Sequence, residues 1–286
     1  MAVVDSLSRA GRVPSAWVGG IGVLALCGLS LLAIAGDHWK VLAISWVAFG
    51  AMAGAIPFGR RAAGARSARG LVWGYGLASG AMITSAAVFL VPQAIGYAPR
   101  IGGFGVASGI LAGFSAHTIG HRLTHLDTPF DTTAAEISAH ALTAGAIIGL
   151  VYATLPDLGL LLGLAIVSHK GSAGYAAARR LAREGKAVSV LLFPATGVGL
   201  TAIPTATLPV PATGAVNAAI FGFAAGIFLH VAMDFLPECE AGSEVGEVAA
   251  LAGDAHERLD RLRGHAVAST ILGGGVVLVL WVVLSV

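Results

Sequence analysis

The chain has 286 residues, of which 56% are hydrophobic and only 11% are charged. A soluble domain carries about a quarter charged residues, so this composition excludes an ordinary soluble enzyme and predicts an all-α membrane protein surrounded by the lipid bilayer. The net charge of +2 comes without a basic stripe, which excludes nucleic acid as a partner. Cys27 lies in an apolar run and Cys239 beside acidic residues, so neither a disulfide nor a cysteine metal site is expected.

Nine apolar stretches follow one another along the chain, each long enough to cross a bilayer core as a helix of about 20 residues. The first, residues 17–35, is not followed by a clear small-residue cleavage site, so it predicts a membrane helix and not a removed signal peptide. The other eight are predicted at 39–58, 71–96, 101–120, 134–154, 158–180, 187–206, 213–236 and 265–286.

The basic residues are distributed unevenly between alternate loops. One set of loops carries fourteen of them, and the other carries only Lys40 and Arg100. Because positive residues are retained on the cytoplasmic side, this asymmetry predicts an odd number of spans, with the N-terminus in the cytoplasm and the C-terminus outside. The fourteen are Arg9, Arg12, Arg60, Arg61, Arg66, Arg69, Arg122, Arg179, Arg180, Arg183, Lys186, Arg258, Arg261 and Arg263.

Few ionisable residues lie inside the predicted spans, and such residues usually face a wet pathway or a binding site. His140 lies in the fifth span and His169-Lys170 in the sixth, and each histidine precedes a glycine by five positions, at Gly145 and Gly174. Two neutral imidazoles on neighbouring helices would make half of a site for zinc or a similar cation. A hydrogen bond between helices is the other interpretation of each histidine.

Two polar stripes repeat every four residues, the spacing of one helix face. His230, Asp234 and Glu238 end the eighth span and could line an exit path or form ordinary interfacial polarity. The second stripe, at the end of the fourth span, suits transient metal capture or is a solvated helix end, and it comprises His117, His121 and His125. Met82 in the third span offers a soft thioether ligand or a packing side chain.

Four stretches together resemble the ZIP family of zinc- and iron-type transporters. They are Ala78–Met82 with Phe89–Ala94, His140–Gly145, His169–Gly174, and Ala224–Glu238, the last being the most specific. The resemblance implies a ZIP-like bundle of eight helices, with two inverted three-helix repeats around a central pair, preceded here by one extra helix. A faint internal repeat agrees with it: Gly80, Phe89-Leu90 and Pro92 match Gly226, Phe235-Leu236 and Pro237.

This resemblance assigns residues 1–38 to an N-terminal segment with the extra helix and residues 39–286 to the ZIP-like domain, with cytoplasmic loops at about 121–133 and 238–264. It implies metal ligands at Met82, His140 and His169 and a cation, zinc by default, as the transported substrate. The family's carboxylate and amide ligands are replaced, by Ala141 and Ala144 in one motif, by Lys170, Ser172 and Ala173 in the other, and by Phe193 before Pro194.

Three functions remain open from the sequence. The first is transport of divalent metal cations across the plasma membrane through a site containing His140 and His169, with no enzymatic activity and no resident cofactor. The second is a ZIP-like protein that has lost transport and serves in sensing or interaction. The third, an intramembrane metal hydrolase, lacks a His-Glu-x-x-His motif. The sequence is also compatible with a homodimer.

Overall fold

The computed structural model consists of helices, and its described residues contain no β-strand. It describes residues 15–64, 68–124, 132–155, 160, 163, 169–211, 213–240, 245–246 and 255–285. The long helices of these residues are, in chain order, α1 Ser15–Ala35, α2 Trp39–Ala62, α3 Ala68–Tyr97, α4 Pro99–Thr124, α5 Thr132–Thr154, α6 Lys170–Arg183, α7 Leu192–Ala206, α8 Gly214–Asp234 and α9 Ala255–Ser285.

Seven of these helices are long and apolar enough to cross a membrane, namely α1, α2, α3, α5, α7, α8 and α9. The expected all-α, multi-pass architecture is therefore confirmed, whereas the count of nine spans stays a prediction. Helix α4 covers the predicted fourth span but is rich in glycine and is not among the seven. The predicted sixth span starts at residue 158, outside the described residues, and its described part is α6.

Helix α9 begins at Ala255, about three turns before the apolar pattern predicts, because it includes a charged segment ahead of the apolar run. Ion pairs at helical spacing stabilise this segment: Arg261 Nη2 lies 3.1 Å from Glu257 Oε1, and Arg263 Nη1 lies 2.8 Å from Asp260 Oδ1. The end of the predicted loop 238–264 is therefore helical, while residues 247–254 lie outside the described part.

Four pairs of helices pack with their backbones in close approach at glycines, as membrane helices do. The pairs are α2 with α6, α3 with α9, α4 with α8, and α5 with α7. A side chain at Gly80 would collide with the α9 backbone at Thr270, and one at Gly226 would collide with α4 at Val106. The two glycines of the faint sequence repeat therefore have the same structural role, each admitting a neighbouring helix.

All four pairs are parallel. Along α5, for example, Gly145 meets Val198 of α7 and Gly149 meets Ala202, so the residue numbers rise together. The four pairs map onto one another when α2, α3 and α4 are exchanged with α7, α8 and α9, and α5 with α6. Under this exchange the pair α3–α9 becomes α8–α4, and the pair α2–α6 becomes α7–α5. This exchange is the packing pattern of two related halves with opposite orientation.

Helix α3 changes its hydrogen-bond register in the middle of the bundle. Its five residues Ala86–Leu90 form a π-helical turn just before Pro92, and the surrounding segments are α-helical. Such turns accommodate an extra residue within a helix and are frequent at functional sites.

Helix α6 ends in a local cap on the side predicted to be cytoplasmic. Gly185 has a φ of 69°, a left-handed conformation that glycine adopts without steric cost. Glu184 accepts from Lys186, whose Nζ lies 2.6 Å from Oε2, and from Arg180, whose Nε lies 3.3 Å from Oε1. These contacts, with the Lys186 hydrogen bond first, lower the pKa of Glu184.

Candidate metal site between α5 and α6

His140 of α5 and His169 at the start of α6 meet inside the bundle. Their Nε2 atoms lie 3.2 Å apart and their ring centroids 5.4 Å apart. His169 is 1% exposed, and His140 is partly buried. The glycines that follow them fix the two helices: Gly145 receives the α7 backbone at Val198, and Gly174 receives the α2 backbone at Met52. The two histidines are therefore positioned by equivalent contacts.

The distance between the two nitrogens fits a shared ligand. Two imidazole nitrogens bound to one tetrahedral zinc ion, at about 2.0–2.1 Å each, lie about 3.3 Å from each other. The same distance also fits an N–H···N hydrogen bond between neutral rings, in which one Nε2 donates and the other accepts. The pair can therefore chelate a cation with little movement or join the two helices without one.

Aromatic rings pack against His169, and a buried lysine follows it in the chain. His169 meets Phe228 of α8 edge-on, with centroids 5.9 Å apart, and Phe235 at 6.4 Å. Lys170 is 2% exposed and so lies among packed side chains. Apolar neighbours reduce the local dielectric, which strengthens every charge interaction at the site, including the repulsion between a lysine ammonium and a metal ion.

The positions where the resembled family has carboxylates or amides hold small buried side chains. Ala141, Ala144 and Ala173 are at most 6% exposed. Ala141 lies against Gly197 of α7, where a Cβ would meet its methyl group, so a longer ligand at 141 would need the helices to separate. Within the described residues, no group of three His, Cys, Asp or Glu side chains could hold a metal. A cation at the pair would need ligands such as water or thioether sulfur.

Met82 is completely buried in the main core cluster, which also contains Phe228. Phe228 also packs against His169, so Met82 lies in the same apolar region as the pair. A cavity shared by its sulfur and the two imidazoles stays a prediction.

The stripe at the end of α8 is partly brought together. His230 Nε2 lies 3.3 Å from Asp234 Oδ2, and the Asp234 side chain is 39% exposed. Glu238 is exposed and follows the end of the helix. His230 is also within electrostatic range of His140, as is Lys170. The stripe therefore extends from near the central pair to the end of the bundle.

The second histidine stripe belongs to α4. This helix continues to Thr124 and therefore includes His117 and His121, whereas His125 lies outside the described residues. The two free cysteines lie in different environments, since Cys27 is exposed and Cys239 is buried.

Sequence reasoning missed the aromatic contacts of His169 and the role of a glycine series on α4. Gly105, Gly109 and Gly113 recur every four residues, and each one admits α8. The small-xxx-small pattern was a visible signal for this interface. Phe228 and Phe235 gave no comparable signal, because phenylalanine is common throughout membrane helices.

No protein-family model matches the chain, and no curated protein matches it.

Proposed function

We propose that the protein is a ZIP-like transporter that carries a divalent transition-metal cation, zinc by default, through a central site formed by His140 and His169. The observation that carries the proposal is the 3.2 Å separation of the two Nε2 atoms on two different helices. Imidazole is a good ligand for zinc and its neighbours, and a transported ion must be bound weakly enough to leave. A site with few protein ligands satisfies that condition.

The packing pattern supports the fold part of the proposal. All four close helix pairs are parallel, and each pairs helices that a nine-span chain would thread in the same direction. Helices α4 and α6 would therefore cross the membrane too, each packed in parallel against one of the seven apolar helices. The exchange between α2–α4 and α7–α9 is the arrangement expected for the family's inverted repeats. The charge asymmetry supports a cytoplasmic N-terminus and a C-terminus outside.

Metal uptake into proteoliposomes tests the proposal. We expect the wild-type protein to take up zinc with saturable kinetics, and His140→Ala/His169→Ala to lose that uptake because both protein ligands are gone. His38→Ala is the matched control, since His38 lies before α2 at the opposite end from the charged loops. Zero flux of zinc, iron, manganese and cadmium through the wild-type protein would refute transport.

A second function is favoured by Lys170, a buried lysine that follows His169 directly in the chain. A positive charge on Lys170 would disfavour a metal ion, and the positions expected to bind metal hold no carboxylate to offset it. The protein would then keep the fold and act in sensing or interaction without transport. Zinc binding at the pair combined with zero flux of every ion tested would support this second function over the first.

A further inference from the structure

Two buried polar side chains in the core of the bundle leave an oxygen atom without a hydrogen bond to the described part of the chain. They are Ser85 of α3, which is 0% exposed, and Asn217 of α8, which is 3% exposed. The atoms concerned are Ser85 Oγ and Asn217 Oδ1. A polar group left unpaired in an apolar interior is unfavourable, so each one indicates a place that water or an ion occupies in some state of the protein.

Ser85 differs in this respect from the other buried serines. Ser30 and Ser45 each donate to the carbonyl of the preceding turn of their own helix, at 2.7 Å. Ser79 and Ser269 each donate to a carbonyl of a neighbouring helix. A serine in a helix can reach the carbonyl one turn back, but the Ser85 hydroxyl does not make that bond and stays available to a ligand. It also lies directly before the π-helical turn of α3, a feature frequent at functional sites.

The contacts between α3 and α8 show where the two side chains lie along the bundle. The two helices are antiparallel, and the contacts that fix their register are Tyr75 with Phe235, Ser79 with Ala232, and Tyr97 with Gly214. Interpolation between these contacts places Ser85 near the level of Gly226. Asn217 lies about two and a half turns from that level, towards the end of the bundle that carries the α7–α8 loop.

The His140–His169 pair lies on the other side of Ser85. His169 packs against Phe228 and Phe235, which both follow the level of Ser85 along α8. His230 and Asp234 come next, and the Asp234 side chain is 39% exposed. The polar groups therefore form one series through the bundle. From the α7–α8 end, its order is Asn217, Ser85, the His140–His169 pair, His230 and Asp234.

We propose that Asn217 and Ser85 line the part of the path along which a hydrated cation moves between the α7–α8 end of the bundle and the His140–His169 pair. Amide and hydroxyl oxygens suit this role, because they can accept hydrogen bonds from the water around a cation or replace some of that water. The identity of the ion rests on the proposed function, whereas access of water to these two positions does not.

This part of the path is closed in the present structure. Asn217 and Ser85 are buried, and Phe221 lies between their levels, 0% exposed and stacked on Tyr97 with ring centroids 6.3 Å apart. The opposite end of the series already reaches the surface at Asp234. Passage of an ion therefore requires a second conformation that opens at the α7–α8 end, as alternating access demands.

Thiol labelling tests whether this part of the path opens to water. In a Cys27→Ser/Cys239→Ser background, we expect Ser85→Cys and Asn217→Cys to react with a membrane-impermeant thiol reagent. The reagent should act from the same side of the membrane that labels Thr207→Cys, at the exposed position after α7. An open state populated at only about 0.1–10% is enough for labelling to accumulate.

Ser45→Cys and Ala218→Cys are the matched controls in the same background. Both positions are 0% exposed, Ser45 has its own carbonyl partner, and Ala218 is the neighbour of Asn217 on α8. We expect neither control to react. Equal reaction at all four positions, or no reaction at 85 and 217, would overturn the proposal.

Ser85→Ala separates a residue of the path from a structural one. Removal of a hydroxyl that makes no hydrogen bond should leave the melting temperature unchanged or raise it, while the initial rate of zinc uptake falls about two- to tenfold, the equivalent of one hydrogen bond. Ser45→Ala should leave uptake unchanged. A lower melting temperature with unchanged uptake in Ser85→Ala would overturn the role of Ser85 in the path.

The two measurements also distinguish this proposal from transport itself. Labelling at positions 85 and 217 in a protein with no flux of any ion would refute transport and support the water-accessible path. Zinc uptake without labelling at either position would support transport and overturn the path.

Discussion

At the scale of single residues, His169 and its neighbour Lys170 have opposite effects on the binding of a cation. The imidazole lies 3.2 Å from its partner nitrogen and suits a cation, whereas the buried ammonium beside it repels one. A second cation close to the pair would meet that repulsion with no carboxylate at positions 141, 144 or 173 to offset it. We therefore expect at most one metal ion at this pair.

We expect Lys170→Ala to tighten zinc binding at the pair by about tenfold or more, because removing a unit charge near a dication in a poorly hydrated site is worth at least about 1.4 kcal/mol. Isothermal titration of the purified proteins with zinc measures this affinity. Lys186→Ala is the control, since Lys186 pairs with Glu184 in the loop after α6. Unchanged affinity in Lys170→Ala would show that this ammonium does not act on the bound ion.

At the scale of the helices, glycines decide which helices touch. Gly109 lies against the α8 backbone at Phe223 and Gly226, whereas a side chain at Gly103 would enter open space. Both glycines belong to α4, so they provide a matched pair for separating helix packing from helix propensity. Ser79 adds a hydrogen bond between α3 and α8, with its Oγ donating to the Ala232 carbonyl at 2.7 Å.

We expect Gly109→Leu to lower the thermal stability of the purified protein in detergent strongly, because overpacking a closed interface costs about 1–3 kcal/mol or more. Gly103→Leu should leave the melting temperature nearly unchanged. Equal melting temperatures for the two variants would show that the close approach at Gly109 is not required.

Some of these helices were easier to predict from the sequence than others, for physical reasons. Apolar runs reveal a lipid-facing helix, so α1, α2 and α9 were evident. The spacing from His140 to Gly145 and from His169 to Gly174 also led to the pair, because a glycine marks a close helix contact. The π-helical turn at Ala86–Leu90 and the register of α4 against α8 could not be derived, since both depend on how one helix lies against another.

At the scale of the whole molecule, the orientation in the membrane rests on the distribution of basic residues. The loop between α7 and α8 carries no Lys or Arg, while the stretch between α4 and α5 begins close to Arg122. These two connections should therefore lie on opposite sides of the membrane.

We expect Thr207→Cys, at an exposed position after α7, to react with an impermeant thiol reagent from outside intact cells. His125→Cys should react only after the cells are permeabilised. Both variants carry Cys27→Ser/Cys239→Ser, so that labelling reports the introduced thiol. Labelling of position 125 in intact cells would reverse the orientation.

The metal environment of the central pair tests the account most directly. X-ray absorption of the purified protein loaded with one equivalent of zinc should show two imidazole ligands, with Zn–N distances of about 2.0–2.1 Å. His140→Ala/His169→Ala introduced into the same protein should abolish that signal. Zinc that fails to bind, or that binds without imidazole scattering, would contradict a metal site at His140 and His169.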